Sequence, residues 1–449
     1  MSRRYKGGVI SATAPTTSQL SATGVWTLNQ QMVAQAAGTW PLSPTYWIGV
    51  LVGAASDFGS SVTIDSSGNV YAVGTTNASG VENSQIVKYN EFGVVQWQRS
   101  LTTASGVGAA SVTIGLDGFI YVCGQSSVSS VQGLQIAKYS TSGTIQWQRR
   151  LTGAAPTIGY GICIDTSSNI YVSGTNTDSG FNDALISKYN SSGTIQWQQL
   201  LGGAGNNWGY SISIDSSANV YIGGRISSGT NDFLIAKYNT SGTLQWQRRF
   251  GGSAIEIGYG SCTDTSGNVY VCGYSDASGT NDIQLVKYDT SGTIQWQRSL
   301  SSASSDIGRG LSSDSAGNIY LCGISAGDAV IAKYDTSGAI QWQRSLGATG
   351  TQSLDGIFVG SNAVYAFGYS GAGGTNDYLI VKLPLDGSKT GTYTVNAVSY
   401  TYAASSLTDA STALSSSSPG LASSASALSS ATSTLTDAAS TLTSSVTTI

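Results

Sequence analysis

One phrase recurs along this chain and dictates its architecture. IQWQRRL, or a close variant, places tryptophans at Trp97, Trp147, Trp197, Trp246, Trp296 and Trp342, and a degenerate copy, TYWIGVL, places Trp47. The successive intervals are 50, 50, 50, 49, 50 and 46 residues. A period of about 40 to 50 residues restricts a chain to solenoids, propellers or repeat arrays, because each unit must bury its apolar face against the next.

The content of a unit decides among these. The third reads IQWQRRL, GYGICID, TSSN, IYVSGT, a Gly/Asn/Asp-rich loop and ALISKYN. Short apolar stretches rich in Val, Ile, Tyr and Trp alternate with turn clusters, and no stretch of helical period separates them. The turns are explicit: DSSGN at 65–69, DTSSN at 165–169, DSSAN at 215–219, DTSGN at 264–268 and DSAGN at 314–318. A second set (NSSGT, NTSGT, DTSGT) joins each KY strand to the next QWQ strand. Asn, Asp, Ser and Gly suit such turns through positive φ and local side-chain hydrogen bonds. Four strands per unit predict an all-β chain, a seven-bladed β-propeller of four-stranded blades over 45–387. The ends of the repeat argue for closure. The last unit stops at a KY-type strand, 377–387, and the first starts at an unpartnered QWQ-type strand, 45–51. Pairing the two completes a hairpin and removes two open edges.

Composition narrows the function. Only 10% of residues are charged and the net charge is −4, so neither a nucleic-acid footprint nor a basic membrane face is expected. The N-terminus MSRRYKGGVISATAP carries two arginines without an apolar core, which predicts no secretory signal, and no apolar run is long enough to span a membrane. There is no histidine, which removes the commonest general base and metal ligand. No cofactor, metal site or enzymatic activity is expected. Of the five cysteines, Cys123, Cys272 and Cys322 occupy one slot of three units where others carry Val73, Ser173, Gly223 or Phe367, the behaviour of a small buried side chain. Cys163 and Cys262 complete an odd total, which argues against a disulfide framework.

Recurrence itself marks most polar residues as structural. Asp65, Asp165, Asp215, Asp264 and Asp314 stand at the mouths of tight turns, with Gly115 and Gly360 in the slot of units two and seven. Turn capping accounts for them better than catalysis, which needs individual carboxylates in one site. Lys88, Lys138, Lys188, Lys237, Lys287, Lys333 and Lys382 also recur, and a pairing or snorkelling role outweighs an anion-binding ring. The repeated tryptophans and the tyrosines from Tyr89 to Tyr334 are expected between blades. What varies carries specificity. The loops after the QWQ strands nominate Asn206, Asn207 and Trp208 in unit four and Arg309 in unit six as binding residues, with Trp208 the candidate for stacking on a sugar.

Two flanks lie outside the repeat. Residues 1–44 form an N-terminal arm in which Thr27-Leu28-Asn29-Gln30 fits a capping box and LNQQMVAQAA a short helix ended by Gly38. Residues 388–402 read as a linker. Residues 403–449 are nearly all Ser, Thr, Ala and Leu, with Leu407, Leu414, Leu421, Leu428, Leu435 and Leu442 seven apart and Ile449 next in phase. A heptad with one large and one small core residue suits a narrow coiled coil, while Ser/Thr content and Pro419-Gly420 suit a flexible tail. Both readings stay open.

The string KGGVISATAPTTSQLSATGVWTLNQQMVAQAAGTWP resembles the N-terminal segment of structural proteins of marine tailed bacteriophages, where it precedes unrelated C-terminal modules; it covers under a tenth of the chain. Similar Ser/Thr/Leu tails occur on those proteins. The blades resemble bacterial propeller repeats with a D-x-SGN-x-Y and KY-D-x-SG signature, a likeness that implies fold more than function. The phage resemblance implies a virion protein, docked to other virion proteins through 1–44, either a tail fibre or receptor-binding protein or a capsid decoration. It would be a homo-oligomer, a trimer being the first candidate, with a host surface glycan as a candidate partner. The alternative expectation is an extracellular, lectin-like propeller that binds a polysaccharide.

Overall fold

A computed structural model describes residues 45–449 except 78–79, 129, 228, 413, 418–421, 426–428, 433–435 and 440–442. The arm 1–44, with its expected short helix, lies outside the described residues. Trp47–Ile449 forms one compact unit, and among the described residues every regular element is a strand.

Seven antiparallel blades surround an axis. Their innermost strands, in blade order 1 to 7, are Asp57–Ile64, Val107–Ile114, Thr157–Ile164, Asn207–Ile214, Glu256–Thr263, Asp306–Ser313 and Gln352–Val359. Each meanders outward through two further strands to a QWQ-type strand. In blades 1 to 6 this is Val95–Thr102, Ile145–Thr152, Ile195–Gly202, Leu244–Gly251, Ile294–Ser301 and Ile340–Gly347. In blade 7 that place is taken by Trp47–Val52, from the other end of the repeat. It pairs with Asp377–Leu383, Trp47 opposite Lys382 and Leu51 opposite Tyr378. The ring therefore closes by the joint that the two unpartnered strands require.

The turn chemistry is local and repetitive. Asp165 Oδ1 accepts from the N–H groups of Ser167 and Asn169, and Oδ2 accepts from Asn169 Nδ2 and the Tyr171 hydroxyl, 3.1 Å away. The same set recurs at Asp65, Asp215, Asp264 and Asp314, so the repeated aspartates cap turns. In blade 2, where Gly115 fills the slot, Asp117 takes the tyrosine and also pairs with Lys138 at 3.0 Å.

The core consists of slabs between neighbouring blades. One joins Tyr71, Val73 and Ile86 of blade 1 to Val112, Ile120, Val122 and Tyr139 of blade 2. At the base of each slab the QWQR phrase works as a clamp. Trp197 donates its indole N–H to Thr240 O in the turn of the next blade, and Lys188 donates to the same carbonyl. That turn passes so close that a Cβ on Gly242 would sit 2.8 Å from the Trp197 ring, at a φ of +79 that already favours glycine. Where the phrase carries Arg, as at Arg149, its Nε donates to Gly193 O of the following turn. The lysines lie over tyrosine rings, Lys188 Nζ 5.0 Å from the Tyr171 centroid. Tryptophan, lysine and tyrosine thus take the inter-blade places expected of them, and Cys123, Cys272 and Cys322 are buried free thiols.

The C-terminal segment corrects two expectations. The stretch read as a linker contains a hairpin, Gly391–Val395 with Val398–Ala404, turned at Asn396 and Ala397 with both φ positive. Its second strand adds to the outer edge of blade 6. The tail, read as coiled coil or flexible coil, is in its described residues a series of strands. Thr408–Ser411 extends blade 5, Ser415–Ser417 blade 4 and Ala422–Ala425 blade 3. Ser429–Thr432 extends blade 2, Thr436–Ala439 blade 1 and Thr443–Thr448 blade 7. The chain thus runs backwards round the rim and gives every blade an extra outer strand, a belt. The seven-residue period is real, but it measures the stride between blades. Seven extended residues reach roughly 23 Å at about 3.3 Å each, so a few residues can pair and the rest cross to the next edge. The two described leucines before belt strands fall at such crossings: Leu407 is buried and Leu414 half-buried, each in an inter-blade cluster. Their carbonyls accept from Gln343 Nε2 and Gln297 Nε2 of the QWQ strands. Seven open edges offer the tail a pairing that Ser and Thr, poor helix formers, accept more readily than a coil.

Candidate functional site

The strand directions give the ring two unlike faces. The Asp-capped turns and the KY-to-QWQ turns lie at the base, where Trp47 donates to Glu91 O in the turn of blade 1. The loops that follow the second strand and the QWQ strand lie at the opposite, upper face. In the upper half of every innermost strand the pairing slips by one residue: at Ser60, Ala110, Tyr160, Tyr210, Tyr259, Arg309 and Asp355. A bulge leaves its extra residue without a ladder partner and re-aims the side chain. All seven bulge residues line one axial cavity of about 500 Å³, half-exposed, each preceded by a buried neighbour.

This crown is asymmetric. Tyr160 meets Tyr210 edge to face at 5.2 Å, and Tyr210 meets Tyr259 at 5.7 Å. The Arg309 guanidinium lies 4.7 Å from the Tyr259 ring and its Nε 3.7 Å from Asp355 Oδ1. Five blades therefore form a continuous wall, aromatic and then charged. In blades 1 and 2 the slot holds only the small Ser60 and Ala110, and on that side the cavity extends to Gly108, Thr75, Gln125 and Glu82 of the same blades.

Electrostatics keep the wall in a mixed state. Burial pushes the Tyr160 and Tyr210 hydroxyls up, Tyr210 to about 12 although Arg225 opposes the shift, so both remain neutral donors at pH 7. Burial also raises the Asp355 carboxyl, against the pull of Arg309 and of the Ser353 hydroxyl that donates to Oδ1 at 2.7 Å. At 3.7 Å the Arg309–Asp355 pair is an ion pair rather than a hydrogen bond, and it leaves hydrogen-bonding capacity on both groups. Among the described residues no group of three or more His, Cys, Asp or Glu is placed to hold a metal ion.

Of the residues chosen from the sequence, Arg309 stands in the wall. Trp208 lies beside it, stacked 6.4 Å from Tyr210, with the Arg225 guanidinium 3.4 Å from its ring; the ring has its own cation and does not line the cavity. Asn206 ties two loops together, accepting from Asn182 N at 2.9 Å, and Asn207 is buried with its amide on Gly205 O. Asn206 thus acts between blades, and the Asn207 amide holds its own loop. Sequence reasoning missed Tyr160, Tyr210, Tyr259 and Asp355. The available signal was one slot that holds Ser, Ala, Tyr, Tyr, Tyr, Arg and Asp in blade order, inside a G-x-G or G-x-S frame in five blades and inside A-x-S and L-x-G in blades 2 and 7.

The sequence profile described as outer membrane protein assembly factor BamB matches residues 182–432. A profile described as a β-propeller repeat matches 45–80 and 146–182. No curated protein matches the chain. Similar solved structures include YCF48 bound to D1 peptide, 11% identical over 77% of this chain and 96% of that one, with a TM-score of 0.48. The polysaccharide lyase Uly1 is 9% identical over 75% and 99%, with a TM-score of 0.47. Puromycin hydrolase is 10% identical over 70% and 50%, with a TM-score of 0.42.

Proposed function

The chain belongs to the family described as outer membrane protein assembly factor BamB, and on that scaffold we propose a non-enzymatic virion protein of a tailed phage whose propeller serves host attachment. The observation that carries this reading is the crown: seven slot residues that differ from blade to blade line one cavity on an otherwise repeated ring, as a recognition site on a rigid scaffold does. The resemblance of 6–41 to phage structural proteins supports the docking role, and the absence of histidine from the chain supports a binding role over catalysis. Tail fibre or receptor-binding protein is favoured over capsid decoration, because a cavity lined by residues that vary from blade to blade suits recognition of a ligand. The second reading, an extracellular polysaccharide-binding propeller, draws on the same tyrosine wall.

The test is immunogold microscopy with antibodies to the propeller on virus particles and host cells from the source. Label on tail tips supports the attachment reading, and label on the capsid shell supports decoration instead. Label confined to cells rejects the virion reading and favours the second.

A further inference from the structure

We infer that the crown binds a neutral, polyhydroxylated sugar ring at the tip of a glycan, inserted along the ring axis between the tyrosine wall and the small-residue side. This rests on the binding reading of the cavity and adds ligand class, contact residues and direction of approach.

The wall sets the class by elimination. An anion entering the cavity meets Asp355 and Glu82, and a cation meets Arg309, with Arg225 close behind Tyr210. Either fixed charge gains from one side and loses to the other. An apolar ligand would strip water from the Arg309–Asp355 pair without replacing it, a net cost. A polyol avoids all three penalties. Each hydroxyl both donates and accepts, so adjacent hydroxyls can satisfy a guanidinium and a carboxylate together. The C–H face of a pyranose can meanwhile rest on the half-exposed rings of Tyr160, Tyr210 and Tyr259. Opposite them Ala110 and Ser60 keep space open, and about 500 Å³ falls within the range of roughly 300–1,000 Å³ usual for small-molecule sites.

The direction follows from the fold. Crown residues come from all seven innermost strands, which surround the cavity, so a ligand reaches them from the upper face along the axis. A chain lying across the face would present no ring to Tyr210. The site therefore reads chain ends or branch tips.

The experiment is a glycan array on the full-length protein, followed by calorimetric titration of the best neutral oligosaccharide. Three single variants accompany it, each first checked for an unchanged melting temperature. Tyr210→Ala removes the centre of the wall. Ala110→Tyr fills the open side without touching the wall. Trp208→Ala removes the neighbouring ring that lies outside the cavity. The expected result is binding to neutral glycans, weakened at least about tenfold by each of the first two changes and less than about threefold by the third. Capping the terminal sugar of the glycan should abolish binding. Recognition confined to charged glycans, equal affinity for capped and uncapped chains, unchanged binding by Ala110→Tyr, or no binding to any neutral glycan would each overturn the inference. The particle-labelling result is independent: a propeller absent from virions but bound to glycan tips sinks the virion reading and leaves this one standing.

Discussion

The rim and the crown are built on the same seven repeats and use them in opposite ways. At the rim every blade carries the same parts: a tryptophan on the neighbour's turn, a lysine over a tyrosine, a belt strand on the edge. At the crown the strand, bulge and slot are repeated, and the side chain in the slot changes from blade to blade. Repetition at the rim holds the ring, because a closed ring is as strong as its weakest joint. Variation at the crown costs the fold little, because a bulge residue stands outside the strand ladder and its side chain faces the cavity. Stability and specificity therefore sit on different residues of one unit, and mutations should separate them.

The largest effect is expected at the closing joint. Deleting 1–44 should leave a folded propeller, whereas deleting through residue 52 removes the strand held between Asp377–Leu383 and Thr443–Thr448 and should abolish cooperative unfolding. Equal melting of the two truncations, followed by circular dichroism, would break the claim that this joint governs the ring. Next comes Trp47→Ala, which empties a fully buried site there and should cost about 3–5 kcal/mol in denaturant titration.

A smaller effect of opposite sign is expected at Asp57 on the upper face of the same seam. Burial, reinforced by Asp377, pushes its carboxyl to about 6 in the fold against 3.8 normally, despite hydrogen bonding from Thr76. A raised acid favours the folded state when protonated, so its stabilising share is present at low pH and is lost as pH rises from about 4 through 6. Asp57→Asn should gain up to about 3 kcal/mol at pH 7–8, since each tenfold change in proton affinity is worth about 1.4 kcal/mol, and should match the wild type below pH 4. A variant destabilised at every pH would show the carboxylate to be a needed partner. The smallest effect belongs to the crown: Tyr210→Ala should change stability by less than about 1 kcal/mol, and a loss as large as that of Trp47→Ala would erase the distinction between the two regions.

The sequence displayed the rim far better than the crown, for a physical reason. Periodicity reports what every blade shares, so the strands, the Asp-capped turns, the clamping tryptophans and the closing pair 45–51 with 377–387 were all legible. The tail showed its period without its partner. Seven residues span two turns of helix and also one stride between blades, and nothing local to Leu407 or Leu414 tells these apart; the free edges of QWQ strands far away in the chain decide it. Arg309 stood out as a lone charge, whereas Tyr160, Tyr210 and Tyr259 resembled the many packing tyrosines. Their difference lies in the slipped register, a property of pairing that composition does not record.

The belt also ties two lengths of the gene together. Six strands of the tail start at residues 408, 415, 422, 429, 436 and 443, one heptad for each blade passed. A descendant that duplicated a blade would leave one rim edge bare unless its tail gained seven residues, and one that lost a blade would carry seven too many. The tail keeps count of the ring, and its length can be inherited safely only along with the number of blades.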